Sequence, residues 1–316
     1  MGERVAKAFI SQFPFLLKIL SANEPLSIQL HPSKEQAVAL RQKDPAHYPD
    51  ANHKPEIAIA LESLQALAGL RELPQIEALM AEYPALSDFV EFDTFADQPK
   101  NIQPKLAFQA LLSNAISEPG NMGQVIALVA AHLQKKDKLS YREKLFLDMN
   151  DKYPGDVGLL SILFLKLHHL GKGQAMFIPA GVPHAYLKGN IVECMASSDN
   201  VIRGGLTPKF KDIPALINIV TAQPTLILTP DAADYTYSAP VSEFRIHKLT
   251  LTSGQQMDES SDSVRILLIL SGKLKLTWAD GTLEAGRGQS ILLPACLSQV
   301  KIECLEEAEI YKADVP

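Results

Sequence analysis

Apolar runs of strand length, punctuated throughout by 21 prolines and 17 glycines, flank one long block whose apolar residues recur at helical intervals. That block extends from about Leu73 to about Leu160, with helical spacing clearest over Ile76 to Met80, Leu106 to Ile116 and Val125 to Leu133. Ahead of it, a helix end runs into the apolar segment Phe13 to Leu20, with Pro14 breaking the helix. Leu26 to Leu30 alternates as a strand does, Glu35 to Lys43 is helix-like, and Asp44 to Asn52 is a polar loop with two prolines. Glu56 to Leu61 and Leu64 to Leu70 predict two further strands. After Gly171 the strand grammar returns in Ala175 to Ile178, His184 to Leu187 and Ile191 to Met195, followed by a short helix over Lys211 to Val220. From about Phe244 the chain reads as short strands alone: Ser263 to Leu270, Lys273 to Trp278, Ser290 to Leu293 and Gln299 to Ile302. The expectation is a mainly β protein in four segments: residues 1–71, a helical insertion over 72–160, a return to the first β unit over 161–240, and a second β unit over 241–316.

At 316 residues and 47% hydrophobic content the chain has room for about two cores, and fibrous and disordered classes are excluded. No apolar run approaches the roughly 20 residues of a membrane-spanning helix; the best, Val264 to Leu270, contains Arg265. A net charge of -6 without a long basic block disfavours a nucleic-acid surface but leaves room for a local basic pocket. Cys194, Cys296 and Cys304 are too few and too scattered for a disulfide framework, which fits a reducing, cytoplasmic home, and no secretory signal is read at the start.

Three clusters carry candidate chemistry. Gly173, five residues, Pro179, one residue, Gly181, two residues, His184 turns one strand tightly and begins the next with His184 on one face; it resembles the second motif of the cupin barrels, whose histidine is a metal ligand, and alone it also suits a plain hairpin. Gln29 and His31 alternate on a strand and so share a face, and Glu56 begins another strand after His53-Lys54-Pro55. Read singly, Gln29 is a satisfied strand residue and His53 a loop histidine. Together, Gln29, His31, Glu56 and His184 offer two imidazoles, a carboxylate and an amide oxygen, a thiolate-free set suited to a divalent metal with an open position: zinc first, manganese or iron next. The third cluster, Glu193 with Asp199 to Arg203 and Thr207 to Lys209, supplies a guanidinium and an ammonium beside Gly204-Gly205, either for a small anion or as a solvated charge group at a turn.

The runs Pro14 to Leu20, Pro25 to Pro32, Asn52 to Glu56, Pro183 to Tyr186, Ser198 to Arg203 and Leu206 to Lys209, in that order, resemble type I phosphomannose isomerases. The resemblance covers essentially the whole chain, most strongly Pro14 to Glu56 and Gly173 to Lys209. It implies two cupin (jelly-roll) barrels, with the helical region inserted in the catalytic one. It also implies a monomeric, zinc-dependent enzyme that interconverts mannose 6-phosphate and fructose 6-phosphate through an enediol and feeds GDP-mannose metabolism. Carried over by position, one Zn2+ is held by Gln29, His31, Glu56 and His184; Arg203, Glu193 and Lys54 are catalytic candidates; Ser27, Lys18, Asp199 and Lys209 surround the sugar phosphate.

The family pattern also has an Asn-Tyr-Asp/Ala-Trp-Gly motif and an Ala-Glu-Leu-Trp-Met-Gly segment ahead of the Pro-Phe-Leu run, and neither occurs here. The expectation that follows is unpaired sheet edges, a missing pocket wall and weak turnover, with a non-catalytic metal or sugar-phosphate binder as the alternative. A cupin oxygenase is a third class, disfavoured by Gln29, Arg203 and Lys209. Gly288, five residues, Pro294 repeats the start of the Gly173 motif without ligand residues after it, which suggests a second barrel that is purely structural.

Overall fold

In the computed structural model, which describes residues 1–297 and 299–316, the chain opens with α1 (Glu3–Ala8), β1 (Phe15–Ala22), β2 (Ile28–Leu30), α2 (Lys34–Lys43) and β3 (Glu56–Leu70). Six helices follow: α3 (Leu73–Glu82), α4 (Pro84–Val90), α5 (Gln103–Ser117), α6 (Pro119–Leu133), α7 (Tyr141–Lys152) and α8 (Gly158–Phe164). The chain then re-enters the sheet through β4 (Leu165–Gly171), β5 (Ala175–Ile178), β6 (His184–Ala196) and β7 (Ile202–Gly205), and passes through α9 (Ile213–Ile219) to β8 (Leu226–Leu228). Local signals set several boundaries. Ser33 accepts from the Gln36 amide while the Gln36 side chain returns to the Ser33 amide, so α2 starts on a reciprocal cap, and Ser140 with Glu143 does the same for α7.

β1 to β8 form one antiparallel sheet, ordered β7-β2-β6-β3-β5-β8, with β1 also paired to β6 and β4 to β3. The paired residues Arg203, Gln29, His184 and Ala68 run in register across β7, β2, β6 and β3, so their side chains share one face. Along β3 that face is lined by Glu56 and then by the buried alanines Ala58, Ala60, Ala66 and Ala68. These short side chains leave room for the longer ones arriving from β6 and β1.

The rest of the chain forms a second sheet: β9 (Tyr235–Tyr237), β10 (Arg245–Leu251), β11 (Gln256–Ser260), β12 (Arg265–Trp278), β13 (Gly281–Gly286), β14 (Ser290–Leu293) and β15 (Gln299–Asp314). Its Phe244, Ile246 and Tyr311 pack on Ile57, Ile59, Phe177 and Val192 from the back of the first sheet. Each of those buried side chains contributes about 1.5–3 kcal/mol. The helices bury their own core against Ile28, Leu30, Ala185, Leu187 and Ile202.

Several strands run longer than the sequence signals. The expected pairs Glu56–Leu61 with Leu64–Leu70, and His184–Leu187 with Ile191–Met195, are the continuous β3 and β6, each passing a register shift between Ala60 and Leu64. Gly189, at φ 136°, makes that shift possible, because a Cβ there would lie 2.2 Å from the Ser63 carbonyl oxygen. Likewise β12 continues through Gly272 at φ 81°, and β15 runs on to Asp314 although Glu303, Glu306, Glu307 and Glu309 obscure its apolar alternation.

Candidate metal centre

Glu56 stands at the centre of the site. It is 1% exposed at the first residue of β3, and its two oxygens face two imidazoles: Oε1 lies 3.0 Å from His184 Nε2 and Oε2 lies 3.3 Å from His31 Nε2. Both rings are held from behind. His31 Nδ1 donates to the Asn200 carbonyl at 2.8 Å and His184 Nδ1 to the Val182 carbonyl at 3.0 Å. With protons fixed on Nδ1, each Nε2 presents its lone pair to the space they share, the tautomer a metal ligand requires. The donor atoms of His31, Glu56 and His184 all lie within 4.8 Å of one another. His31 Nε2 is buried without a hydrogen-bond partner among the described residues. A lone pair so placed, beside a carboxylate and a second imidazole, is unexplained by the protein alone and fits one divalent ion. Gln29 lies alongside: its amide nitrogen is 3.4 Å from His184 Nε2, and a half-turn of the amide presents the oxygen in its place.

The electrostatics match that assignment. Burial, with the Lys54 ammonium beside it, pushes the His31 imidazole down to about 4, so it is neutral at ordinary pH. Burial works against ionisation of Glu56, but its electrostatic interactions with His31, Lys54 and His184 outweigh burial and hold the carboxyl well below its usual range. The Lys54 ammonium is 3.6 Å from Glu56 Oε2, and the Tyr186 hydroxyl donates to Oε1 at 3.0 Å.

The loops that carry these groups interlock. Asp50 Oδ1 accepts from the Ser198 hydroxyl and the Asn200 amide, while Oδ2 accepts from the Asp199 backbone at 2.8 Å. Asn200 also donates to the Asp50 and Asn52 carbonyls. The Ser198-Asp199-Asn200 run therefore fixes the carbonyl that orients His31. The Gly181 amide donates to the His31 carbonyl at 2.8 Å, joining the Pro179–His184 turn to β2.

Other sequence candidates divide into two groups. Glu193, on β6, is paired in register with Lys18 of β1 and Ala58 of β3, two positions from Glu56, and its Oε2 is 2.6 Å from Lys18 Nζ. Burial and the nearby Glu56 charge push the Glu193 carboxyl up, with Lys18 opposing them. Arg203 is half-buried next to Gln29 in the register and has no ion-pair partner among the described residues. Ser27, Asp199 and Lys209 lie on the flanking loops, the last two exposed, and make no side-chain hydrogen bond or ion pair with the Glu56 cluster among the described residues. His53 turns away from the cluster to Glu243 of the C-terminal unit, at 2.6 Å. Tyr186 and Asn200 lie within the runs singled out in the sequence but carry no role there, although the two-residue step from His184 to Tyr186 already puts both on one face of a strand.

Residues 1–73 match the model of the phosphomannose isomerase type I catalytic domain. The mouse mannose-6-phosphate isomerase is 37% identical over 295 residues, which cover 86% of this chain and 70% of the mouse protein. The chain belongs to the type I phosphomannose isomerase family. A second family relative, from Ogataea parapolymorpha, is 35% identical over 341 residues, covering 99% of this chain and 80% of its own. Among solved structures, a variant of the Salmonella typhimurium phosphomannose isomerase matches with a TM-score of 0.86 and 29% identity, over 100% of this chain and 82% of that one. A zinc-bound mannose 6-phosphate isomerase matches with a TM-score of 0.84 and 30% identity, over 99% and 81%. This phosphomannose isomerase family member is accordingly an isomerase by sequence kinship along nearly its whole length.

Proposed function

We propose that this chain is a Zn2+-dependent mannose-6-phosphate isomerase that interconverts mannose 6-phosphate and fructose 6-phosphate. The observation that carries the reading is the buried Glu56 carboxylate set between two imidazoles whose lone pairs converge, one of them unpartnered. His31, Glu56, His184 and Gln29 hold the ion in this reading, and the ion supplies a positive potential for the oxygens at C1 and C2 of the sugar.

The remaining groups handle protons and charge. Aldose and ketose differ by one hydrogen moved between C2 and C1, with a compensating proton exchange between O1 and O2, and an enediol lies between them. Glu193 is proposed to hold and pass the proton: its carboxyl is pushed up by burial, which suits a group that must both accept and release. Lys54 stands where negative charge develops on the oxygens, and Arg203 clamps the phosphate or the enediolate with its planar fork. Lys18, Ser27, Asp199 and Lys209 complete the substrate surround, with Lys18 also holding Glu193 in place. The sheets support a pair of cupin barrels with the helices of residues 72–160 inserted in the first and a structural barrel over 241–316. A monomeric cytoplasmic enzyme supplying mannose for GDP-mannose completes the proposal.

The test is isomerisation by purified protein loaded with one zinc per chain, run in D2O. The expected result is fructose 6-phosphate carrying deuterium at C1. Zinc-loaded, folded protein that binds mannose 6-phosphate calorimetrically without turning it over would replace this reading with that of a non-catalytic binder.

A further inference from the structure

We infer that Asp156, contributed by the helical region, is a positioning residue that latches the end of β7 and the following loop, which carry Arg203 and Lys209, in their substrate-binding form. The inference rests on the isomerase reading above. Asp156 is 8% exposed and lies between α7 and α8, outside both sheets. Its Oδ1 accepts from the Gly158 amide at 2.7 Å and from the Leu206 amide at 2.9 Å, and its Oδ2 takes the Lys211 ammonium at 2.6 Å. One carboxylate thus grips the loop after β7 at two points, Leu206 and Lys211, on either side of Lys209.

The loop needs such a grip. Leu206 has φ 55°, a left-handed conformation that a branched side chain adopts at a cost and keeps only where its surroundings impose it. Its side chain is buried in the helical core, so the strained residue is locked by packing on one side and by Asp156 on the other. Contact at this point is backbone to backbone: a Cβ on Gly205 would lie 2.5 Å from the Gly158 Cα and 2.6 Å from Asp156 Oδ1. Downstream, the Thr207 hydroxyl accepts from the Lys209 amide at 3.1 Å and continues the turn. Arg203 is two residues before Gly205 and in register with Gln29, so a shift of this turn moves the guanidinium relative to the metal ligands. Asp156 itself touches none of the candidate ligands.

The experiment compares Asp156→Asn and Lys211→Met with the unsubstituted, zinc-loaded protein. Asn keeps the shape but loses the charge for Lys211; Met removes the ion pair and leaves both backbone bonds in place. Zinc content, kcat and KM for mannose 6-phosphate, the calorimetric Kd for the same sugar, and hydrogen exchange over residues 204–211 are measured. For Asp156→Asn, the expected result is KM and Kd raised about ten- to a hundredfold, with a smaller change in kcat. Exchange should accelerate in the 204–211 loop with one zinc per chain retained, and Lys211→Met should show a smaller shift of the same sign. If both variants keep the parent KM and Kd, or lose zinc and stability without a KM-against-kcat split, the latch is overturned while the isomerase reading stands. An unsubstituted chain that neither turns over nor binds the sugar phosphate overturns both.

Discussion

Replacing Tyr186 by Phe removes a single oxygen from the centre of the site and leaves the packing intact. The Tyr186 hydroxyl donates to Glu56 Oε1 at 3.0 Å from a side chain that is 2% exposed. Burial, followed by the Glu56 and Glu193 charges, pushes the phenol well above its ordinary value, so it stays a neutral donor at every working pH. A hydrogen bond to a charged acceptor is worth about 1.5–3 kcal/mol, and the Tyr186 ring is buried in one cluster with Ala66 and Ala68. Chelator-treated Tyr186→Phe should therefore lose about 1.5–3 kcal/mol of unfolding free energy in urea. The variant should also hold zinc about 10–100 times more weakly in competition with a chelator, because a ligand carboxylate without its outer partner is less well oriented. The sign with pH follows: without its donor the Glu56 carboxylate is easier to protonate, so zinc is lost at a higher pH on acidification than in the parent. Unchanged stability together with an unchanged acid limb would refute the claim that Tyr186 supports the ligand carboxylate.

Two further perturbations test other parts of the argument. The unfolded His31 imidazole takes a proton near 6.5 and the folded one at about 4, so the unfolded state binds more protons between those values. Metal-free protein should accordingly lose up to about 3 kcal/mol as pH falls from about 6.5 to about 4, and His31→Gln should flatten that slope in denaturant titrations at successive pH values. Gly189→Ala forces a Cβ against the Ser63 carbonyl at the register shift between β3 and β6. It should cost about 2 kcal/mol or more in denaturant unfolding, and a loss below about 0.5 kcal/mol would show that the strand bends elsewhere.

Much of the local placement behind the His31, Glu56 and His184 cluster was legible because it rests on short-range geometry. Period-two alternation put Gln29 with His31, the Gly173–His184 spacing announced a turn before a strand, and Glu56 followed a proline at a strand start. The long strands were less legible, since the register shift at Leu64 and Gly189 and the glutamates of β15 interrupt the patterns that mark a strand. The anchoring of Asp199 has no local signal, since its backbone amide is held by Asp50, 149 positions earlier in the chain.

From the chain's residue order alone come the donor types, their strand placement and the separation of helical from β segments, because each depends on neighbours within a few positions. The tertiary structure decided which distant groups meet. Tyr186 on Glu56, the Asn200 carbonyl behind His31 and Asp156 on the Leu206 turn all join residues far apart in sequence. Such contacts depend on how sheet and helices pack, and no local periodicity encodes that packing.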